Sequence, residues 1–281
     1  MELSNMLMQR IITAIILIPI TLLILFYSSP YIFFLVTLLV SLAAAWEWSN
    51  LMGLKKMSGR VIYLLLSGII YYWVSYNIFN TTIPVTLLFA LTFVWWLFAT
   101  ALIVTYPRGS EWWSNSITVR GIMGLLVLVP CWIGINVIWN QRDGVYMLLF
   151  LFVLIWGADS AAYFVGRKWG KDKLAPLVSP GKSQQGLYGA LIFSSLIALI
   201  ALYMSHTPFI LWPWAIALSL ITVIFSVIGD LFESMMKRQA GLKDSGKLLP
   251  GHGGLLDRID SLTAAVPVFV LGGLLLGMYL N

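Results

Sequence analysis

The sequence is poor in residues that staple a fold or hold soft metals. Its single cysteine, Cys131, excludes an internal disulfide and a cysteine-based metal cluster; placed in an apolar run, it reads as a small buried residue. His252 sits between glycines with no second histidine nearby, which argues against zinc. Charge is scarce as well. Only 10% of the 281 residues are Asp, Glu, Lys or Arg, against about a quarter in an ordinary soluble domain. Segments of about ten alternating apolar and polar residues are missing, which excludes a transmembrane barrel. No internal repeat or low-complexity linker divides the chain, and no GxxxxGK[ST] phosphate loop opens a helix.

What fills the space is apolar. Hydrophobic residues make up 60% of the chain, in continuous runs of the roughly 20 residues that a membrane-spanning helix needs. Because hydrocarbon cannot satisfy backbone N–H and C=O groups, such runs must be helices. The expectation is an all-α polytopic membrane protein of about nine transmembrane helices, near 11–27, 31–51, 61–77, 84–105, 121–139, 145–166, 187–205, 210–229 and 262–280. The first run follows Arg10 as a signal peptide would. It lacks a small-residue cleavage site and is followed at once by a second span from Tyr31, so it is expected to persist as a helix. Trp46, Trp48, Trp112 and Trp113, near span ends, read as interfacial anchors.

Basic residues set the expected orientation. With the N-terminus cytoplasmic and the C-terminus outside, sixteen of the 17 Lys and Arg residues fall in cytoplasmic segments, and only Arg142 lies outside. The net charge of +6 then belongs to the cytoplasmic face, where it favours anionic headgroups and anionic soluble ligands. No nucleic-acid partner is expected, because no recognition motif or stacking platform accompanies the charge. The chain reads as a single transmembrane domain over 1–281, with 1–140 mainly scaffold and 157–260 carrying the polar chemistry.

The densest polar segment runs from Asp230 to Asp260. It holds five acids (Asp230, Glu233, Asp244, Asp257, Asp260) and five bases (Lys237, Arg238, Lys243, Lys247, Arg258). A polybasic lipid anchor would be one-signed; a balanced segment suits a site that holds cations and anions together. If the eighth span continues as a helix beyond the membrane surface, Asp230, Glu233, Ser234 and Lys237 fall at i, i+3, i+4 and i+7, on one face. Magnesium takes one or two carboxylates, waters and phosphate oxygens, and lysine or arginine can neutralise the remaining phosphate charge. Five glycines and a proline within 241–254 permit a backbone-exposing loop close to phosphates. Asp257 and Asp260, three apart where the last span begins, can face the same way. The pattern therefore points to a metal held from two helix ends, Asp230 on one and Asp257 on the other.

A second segment lies upstream. Asp159 falls inside a span, about two turns before its cytoplasmic end, where an acid is costly unless it faces a polar cavity. Ser160 and Tyr163 flank it. A basic, Gly/Pro/Ser-rich loop is expected over 171–186, with Ser179-Pro-Gly-Lys-Ser183 suited to phosphate contacts. Glu47, near the end of the second span, is open to a structural or a functional reading.

The run Ser234-Met-Met-Lys-Arg-Gln-Ala-Gly-Leu-Lys-Asp-Ser-Gly-Lys-Leu-Leu-Pro-Gly-His-Gly-Gly-Leu-Leu-Asp-Arg-Ile-Asp260 resembles the signature of phosphatidate cytidylyltransferases, also called CDP-diacylglycerol synthases, over twenty-seven positions. The resemblance extends through Gly157-Ala-Asp-Ser, Lys173-Leu-Ala-Pro-Leu-Val-Ser-Pro-Gly-Lys-Ser and the Ala-Ala-Trp-Glu-Trp run ending at Trp48, so it covers essentially the whole chain. Departures are mild: Ser183 and Gln184 stand where many members have threonine and tryptophan, and Ala161 where many have glycine. The resemblance implies conversion of CTP and phosphatidate to CDP-diacylglycerol and pyrophosphate. It also implies a Mg2+ requirement, a second cation such as K+, a homodimer, and residence in the bacterial inner membrane with the site facing the cytoplasm. The family's metal-binding aspartates map onto Asp230 and Asp257.

On this reading the phosphatidate phosphate is already a competent nucleophile, and the protein's task is alignment and charge neutralisation. Asp230 and Asp257, with Glu233 and Asp260, are the expected metal ligands. Lys237, Arg238 and Arg258 would stabilise the transition state. Ser234, Lys243, Asp244, Lys247 and His252 would order the glycine loop or contact nucleotide, while Asp159, Ser179 and Lys182 would line the facing wall. Two rivals are a membrane phosphotransferase using CDP-alcohols, whose DG…AR…G…D…D pattern is missing, and a cation-coupled transporter, whose inverted repeats are missing.

Overall fold

The structure, a computed structural model, describes residues 2–249, 251 and 253–277, with side chains at 13 and from 15 onward. Among the described residues nine long helices dominate: α1 (Glu2–Tyr27), α2 (Pro30–Leu51), α3 (Met57–Phe79), α4 (Val85–Thr105), α6 (Ile117–Trp139), α7 (Gly144–Trp169), α8 (Gln184–Met204), α9 (Trp212–Gln239) and α10 (Leu256–Leu275). A four-residue helix α5 (Glu111–Ser114) precedes α6. Eight of the long helices are apolar and long enough to cross a membrane, and the Ile15–Tyr27 part of α1 is apolar too. The chain is a multi-pass membrane protein, as the hydropathy pattern predicts.

Local sequence chemistry explains where helices start. Ser29 accepts the Ile32 N–H at 3.3 Å with Pro30 in the first turn, and Ser116 accepts the Val119 N–H at 3.3 Å. These side chains satisfy donors that a helix start leaves unpaired. The stretch 171–186, expected as a loop, instead forms a small antiparallel hairpin, β1 (Lys173–Ala175) with β2 (Ser179–Ser183), pairing Lys173 with Ser183 and Ala175 with Ser179. Ser183 then caps α8 through the Gly186 N–H.

The core is built around α9, α10, α6 and α2. Phe232 of α9 is fully buried, with Trp48 of α2 and Trp95 and Trp96 of α4 around it at ring-centroid distances of 6.3, 5.7 and 5.8 Å. That packing fixes the rotation of α9 about its axis and so the direction in which its polar face points. It also corrects the reading of Trp48 and Trp113 as interfacial anchors. Trp48 is enclosed and donates its indole N–H to the Arg120 carbonyl at 2.8 Å, and Trp113 is buried as well. Trp46 carries the Arg60 guanidinium 4.0 Å above its ring, while Trp112 is exposed.

Helices α9 and α10 cross at Gly229, where a Cβ would lie 2.6 Å from the Asp260 carbonyl oxygen. The missing side chain lets the two backbones meet, and it brings Asp230 and Asp260 to the same level. Helix α9 has 28 residues, so at about 1.5 Å per residue it is about 42 Å long, well beyond the roughly 30 Å of hydrocarbon. Its last turns therefore project past the apolar layer, and they carry the charged residues.

Candidate active site

Three elements converge on one polar chamber: the end of α9, the start of α10 and the β1–β2 hairpin, with α7 closing the far wall. On α9 the i, i+3, i+4, i+7 face forms as the spacing predicts. Ser234 donates to Asp230 Oδ1 at 3.3 Å, and the Lys237 ammonium lies 2.7 Å from Glu233 Oε2. Lys237 also reaches across to Asp257 Oδ1 on α10 at 2.6 Å, so one ammonium bridges two carboxylates. All three side chains are nearly enclosed, at 12%, 3% and 6% exposure. Burying such charges is costly, and it is tolerable only because each finds a partner.

Asp257 is held from its other side by the glycine loop. Its Oδ2 accepts the Ser245 N–H at 2.9 Å, the Ser245 hydroxyl at 3.0 Å and the Gly254 N–H at 2.8 Å. The loop is pinned in turn from α2. Glu47 Oε2 accepts the Leu256 N–H at 2.8 Å and the Ser245 hydroxyl at 3.2 Å, and Asn50 donates to the Ser245 carbonyl at 2.9 Å. Glu47 thus leans toward the site rather than toward the membrane interface.

The hairpin delivers Lys182, whose ammonium lies 2.7 Å from Asp230 Oδ2. From α7, Asp159 Oδ2 accepts the Ser261 hydroxyl at 3.4 Å. Asp260 accepts the Ser261 N–H at 2.8 Å and lies within electrostatic reach of Asp230, Glu233, Lys182 and Lys237. The sequence-predicted residues therefore separate. Asp159, Ser179, Lys182, Asp230, Lys237, Asp244, Asp257, Arg258 and Asp260 line one cavity, and Glu233 stands behind Lys237. Arg238 turns away and donates to the Val178 carbonyl at 3.1 Å, tying α9 to the hairpin. Lys243 and Lys247 are exposed, and His252 lies outside the described residues.

Five carboxylates (Asp159, Asp230, Glu233, Asp257, Asp260) thus face two ammonium groups, Lys182 and Lys237. Glu233 and Asp260 come together as carboxyl groups, and Glu233 Oε1 is buried with no donor to pair with it. Two acids in that arrangement need a proton or a cation between them. No cluster of three or more Asp, Glu, His or Cys positioned to hold an ion by themselves occurs among the described residues. The donors are all oxygen. That set fits a hard cation such as Mg2+, which takes few protein ligands and fills its shell with water and phosphate.

The cavity does not stop at the polar chamber. With a volume of about 1330 Å³, it continues into an apolar limb between α1, α2, α6 and α7, lined by residues such as Ile18, Ile24, Phe33, Val40 and Leu128. The limb reaches the outer surface at Ile18 of α1 and at Trp156 and Tyr163 of α7, all exposed. Sequence reasoning found the polar wall but named neither the residues of this limb nor the Glu47–Ser245 support. The only sequence signal for Glu47 is an acid in an otherwise apolar Ala-Ala-Trp-Glu-Trp run.

Residues 8–275 match the cytidylyltransferase family. The chain is 45% identical over 266 residues to a phosphatidate cytidylyltransferase of Pseudomonas aeruginosa, covering 94% of this chain and 96% of that protein. It is 39% identical over 282 residues to one of Haemophilus influenzae, covering 94% and 97%. It is also similar to one of Staphylococcus saprophyticus, at 31% identity over 192 residues, 59% of this chain and 74% of that protein.

Proposed function

The chain belongs to the cytidylyltransferase family, and from that premise we propose how its cavity carries out the reaction. The enzyme is a phosphatidate cytidylyltransferase: it transfers the cytidylyl group of CTP to phosphatidate, giving CDP-diacylglycerol and pyrophosphate. The observation that supports the site assignment is the single cavity joining an apolar limb to a chamber of paired acids and lysines. A two-tailed lipid phosphate needs that combination, because its chains belong in hydrocarbon and its reacting oxygen in a polar site.

An oxygen of the phosphatidate phosphate attacks the α-phosphorus of CTP. A new P–O–P linkage forms, the bond from the α-phosphorus to the bridging oxygen of the β-phosphate breaks, and pyrophosphate carries away the electron pair. The nucleophile is already an anion, so no side chain has to remove a proton. Lys182, at the chamber wall, meets a phosphate oxygen when it loosens from Asp230. Lys237 stays clamped by Glu233 and Asp257, presenting a fixed positive charge where negative charge accumulates. Arg258, in the cavity lining, faces the leaving pyrophosphate. Asp159 and Ser179 line the wall opposite α9 and α10 and limit how the lipid phosphate can sit.

Asp230, Asp257 and Asp260, with Glu233 behind them, are the residues that would hold Mg2+, and a second, monovalent cation such as K+ would offset the remaining carboxylate charge. When bound, the divalent ion supplies Lewis-acid neutralisation of the triphosphate. The distribution of lysine and arginine supports placing the chamber on the cytoplasmic side of the bacterial inner membrane, N-terminus inside and C-terminus outside. The family resemblance supports a homodimer.

The test is CTP-dependent pyrophosphate release by purified protein with phosphatidate, with and without Mg2+, for the wild type and for Asp230→Ala and Asp257→Ala. Mg2+-dependent release abolished by both substitutions is the expected result. Full activity in either variant would sink the site assignment.

A further inference from the structure

Glu47 lies on α2, 198 residues from the loop serine it touches, in the half of the chain that, among the described residues, lends the cavity no charged side chain. Its side chain is 1% exposed. One oxygen, Oε2, accepts from within the glycine loop and from the helix that follows it, the Ser245 hydroxyl at 3.2 Å and the Leu256 N–H at 2.8 Å. The other, Oε1, is buried without a hydrogen-bond partner. A Cβ at Gly246 or at Gly254 would overlap this carboxylate, so the loop is shaped to admit it.

A buried carboxylate with an unsatisfied oxygen costs stability unless something offsets it. The offset lies in what the contact reaches. The Ser245 hydroxyl touches Glu47 Oε2 at 3.2 Å and Asp257 Oδ2 at 3.0 Å, so its single hydrogen is shared between two carboxylates. Glu47, Ser245, Asp257, Lys237 and Glu233 form one connected chain from α2 through the loop to α10 and α9.

We propose that Glu47 is a positioning residue: by clamping the glycine loop at Ser245 and the start of α10 at Leu256, it fixes the orientation of Asp257 and hence the site that this aspartate shares with Lys237. Glu47 touches no substrate in this scheme. It acts through Ser245 and through the Leu256 N–H at the entry to α10, and the inference rests on the placement of Asp257 in the active site. The apolar limb is built from other residues, so the lipid-binding side of the reaction is left unaltered when Glu47 changes.

The experiment compares wild type, Glu47→Ala, Glu47→Gln, Ser245→Ala and Asp257→Ala, each normalised to folded protein by its thermal transition in detergent. For residues that support a metal-site ligand, losses of about 10–100-fold are usual. Glu47→Ala is expected to lose kcat to that extent, to need more Mg2+ for half-maximal activity, and to show a smaller Mg2+-induced rise in Tm. Its KM for phosphatidate stays within about twofold, because the lipid limb is unchanged. Glu47→Gln keeps a carbonyl oxygen that can accept both bonds and recovers most of the kcat. A merely structural anchor would lower Tm in Glu47→Ala but leave kcat per folded molecule and the Mg2+ response untouched.

That last outcome, with Asp257→Ala inactive, overturns the proposal. An active Asp257→Ala overturns the reading of the site, and this inference with it. Where Glu47→Ala does not fold, Ser245→Ala decides: a lowered kcat and weakened Mg2+ response support the coupling, and wild-type values for both overturn it.

Discussion

The Lys237 ammonium on α9 lies 2.6 Å from Asp257 Oδ1 on α10, and it reaches that distance while still holding Glu233 Oε2 at 2.7 Å on its own helix. One nitrogen thereby joins two helices whose charged ends would otherwise repel as carboxylate against carboxylate. Removing it leaves two nearly enclosed acids facing each other.

Lys237→Met is expected to be costly in stability as well as in rate. Breaking one side of a buried ion pair costs about 3–5 kcal/mol, enough to lower Tm visibly in a detergent melt. Pyrophosphate release per folded molecule should fall by about a hundredfold or more, as for loss of a positioned transition-state charge. Lys237→Arg should not restore it, because a planar guanidinium fork does not replace a compact ammonium held between two acids. Wild-type kcat in Lys237→Met would remove this lysine from the mechanism.

Gly229→Ala tests the helix crossing that sets the chamber. The added Cβ would lie 2.6 Å from the Asp260 carbonyl oxygen and 3.2 Å from the Ala264 Cβ, so α9 and α10 must part. Overpacking of this kind costs about 1–3 kcal/mol, and here it also separates Asp230 from Asp260. Both Tm and activity are expected to fall. Gly181→Ala is the control: a Cβ there meets nothing within 4 Å, and its Tm should match wild type.

Val40→Phe tests the apolar limb. Val40 lines the limb on α2, and a phenyl group there narrows the space for acyl chains without touching a charged residue. Activity on long-chain phosphatidate should fall by about tenfold or more, a scale typical of shape discrimination in apolar sites. Short-chain phosphatidate, which does not fill the limb, should be turned over at close to the wild-type rate. Equal losses on both substrates would show that the limb does not hold the chains.

The spacing of Asp230, Glu233, Ser234 and Lys237 carries its own geometry, because a helix repeats every 3.6 residues, and that face is legible in the sequence. The helical spans were legible for the same kind of reason: hydrocarbon leaves the backbone few choices. Three things were not. The hairpin is built from Lys173–Ala175 and Ser179–Ser183, a stretch with Pro180, Gly181 and lysines that has little strand propensity of its own. The destination of Glu47 depends on a partner 198 residues away, which no local pattern encodes. The residues that line the apolar limb were hidden most thoroughly, because lipid is as apolar as a protein interior and side chains facing either look alike in sequence. Trp48 was misplaced for that reason: a tryptophan at a span end and one sealed against Phe232 are the same letter.

A cavity with one limb in hydrocarbon and the other in water also sorts what leaves it. The nucleotide-bearing lipid, with two acyl chains, departs sideways into the leaflet, whereas pyrophosphate escapes into the aqueous phase. The two products part into different media and share no exit. The substrates arrive by the same two routes, a lipid from the leaflet and an anion from water, so the shape of the cavity fixes where each partner enters and leaves while the direction of the reaction is left to the concentrations in the two media.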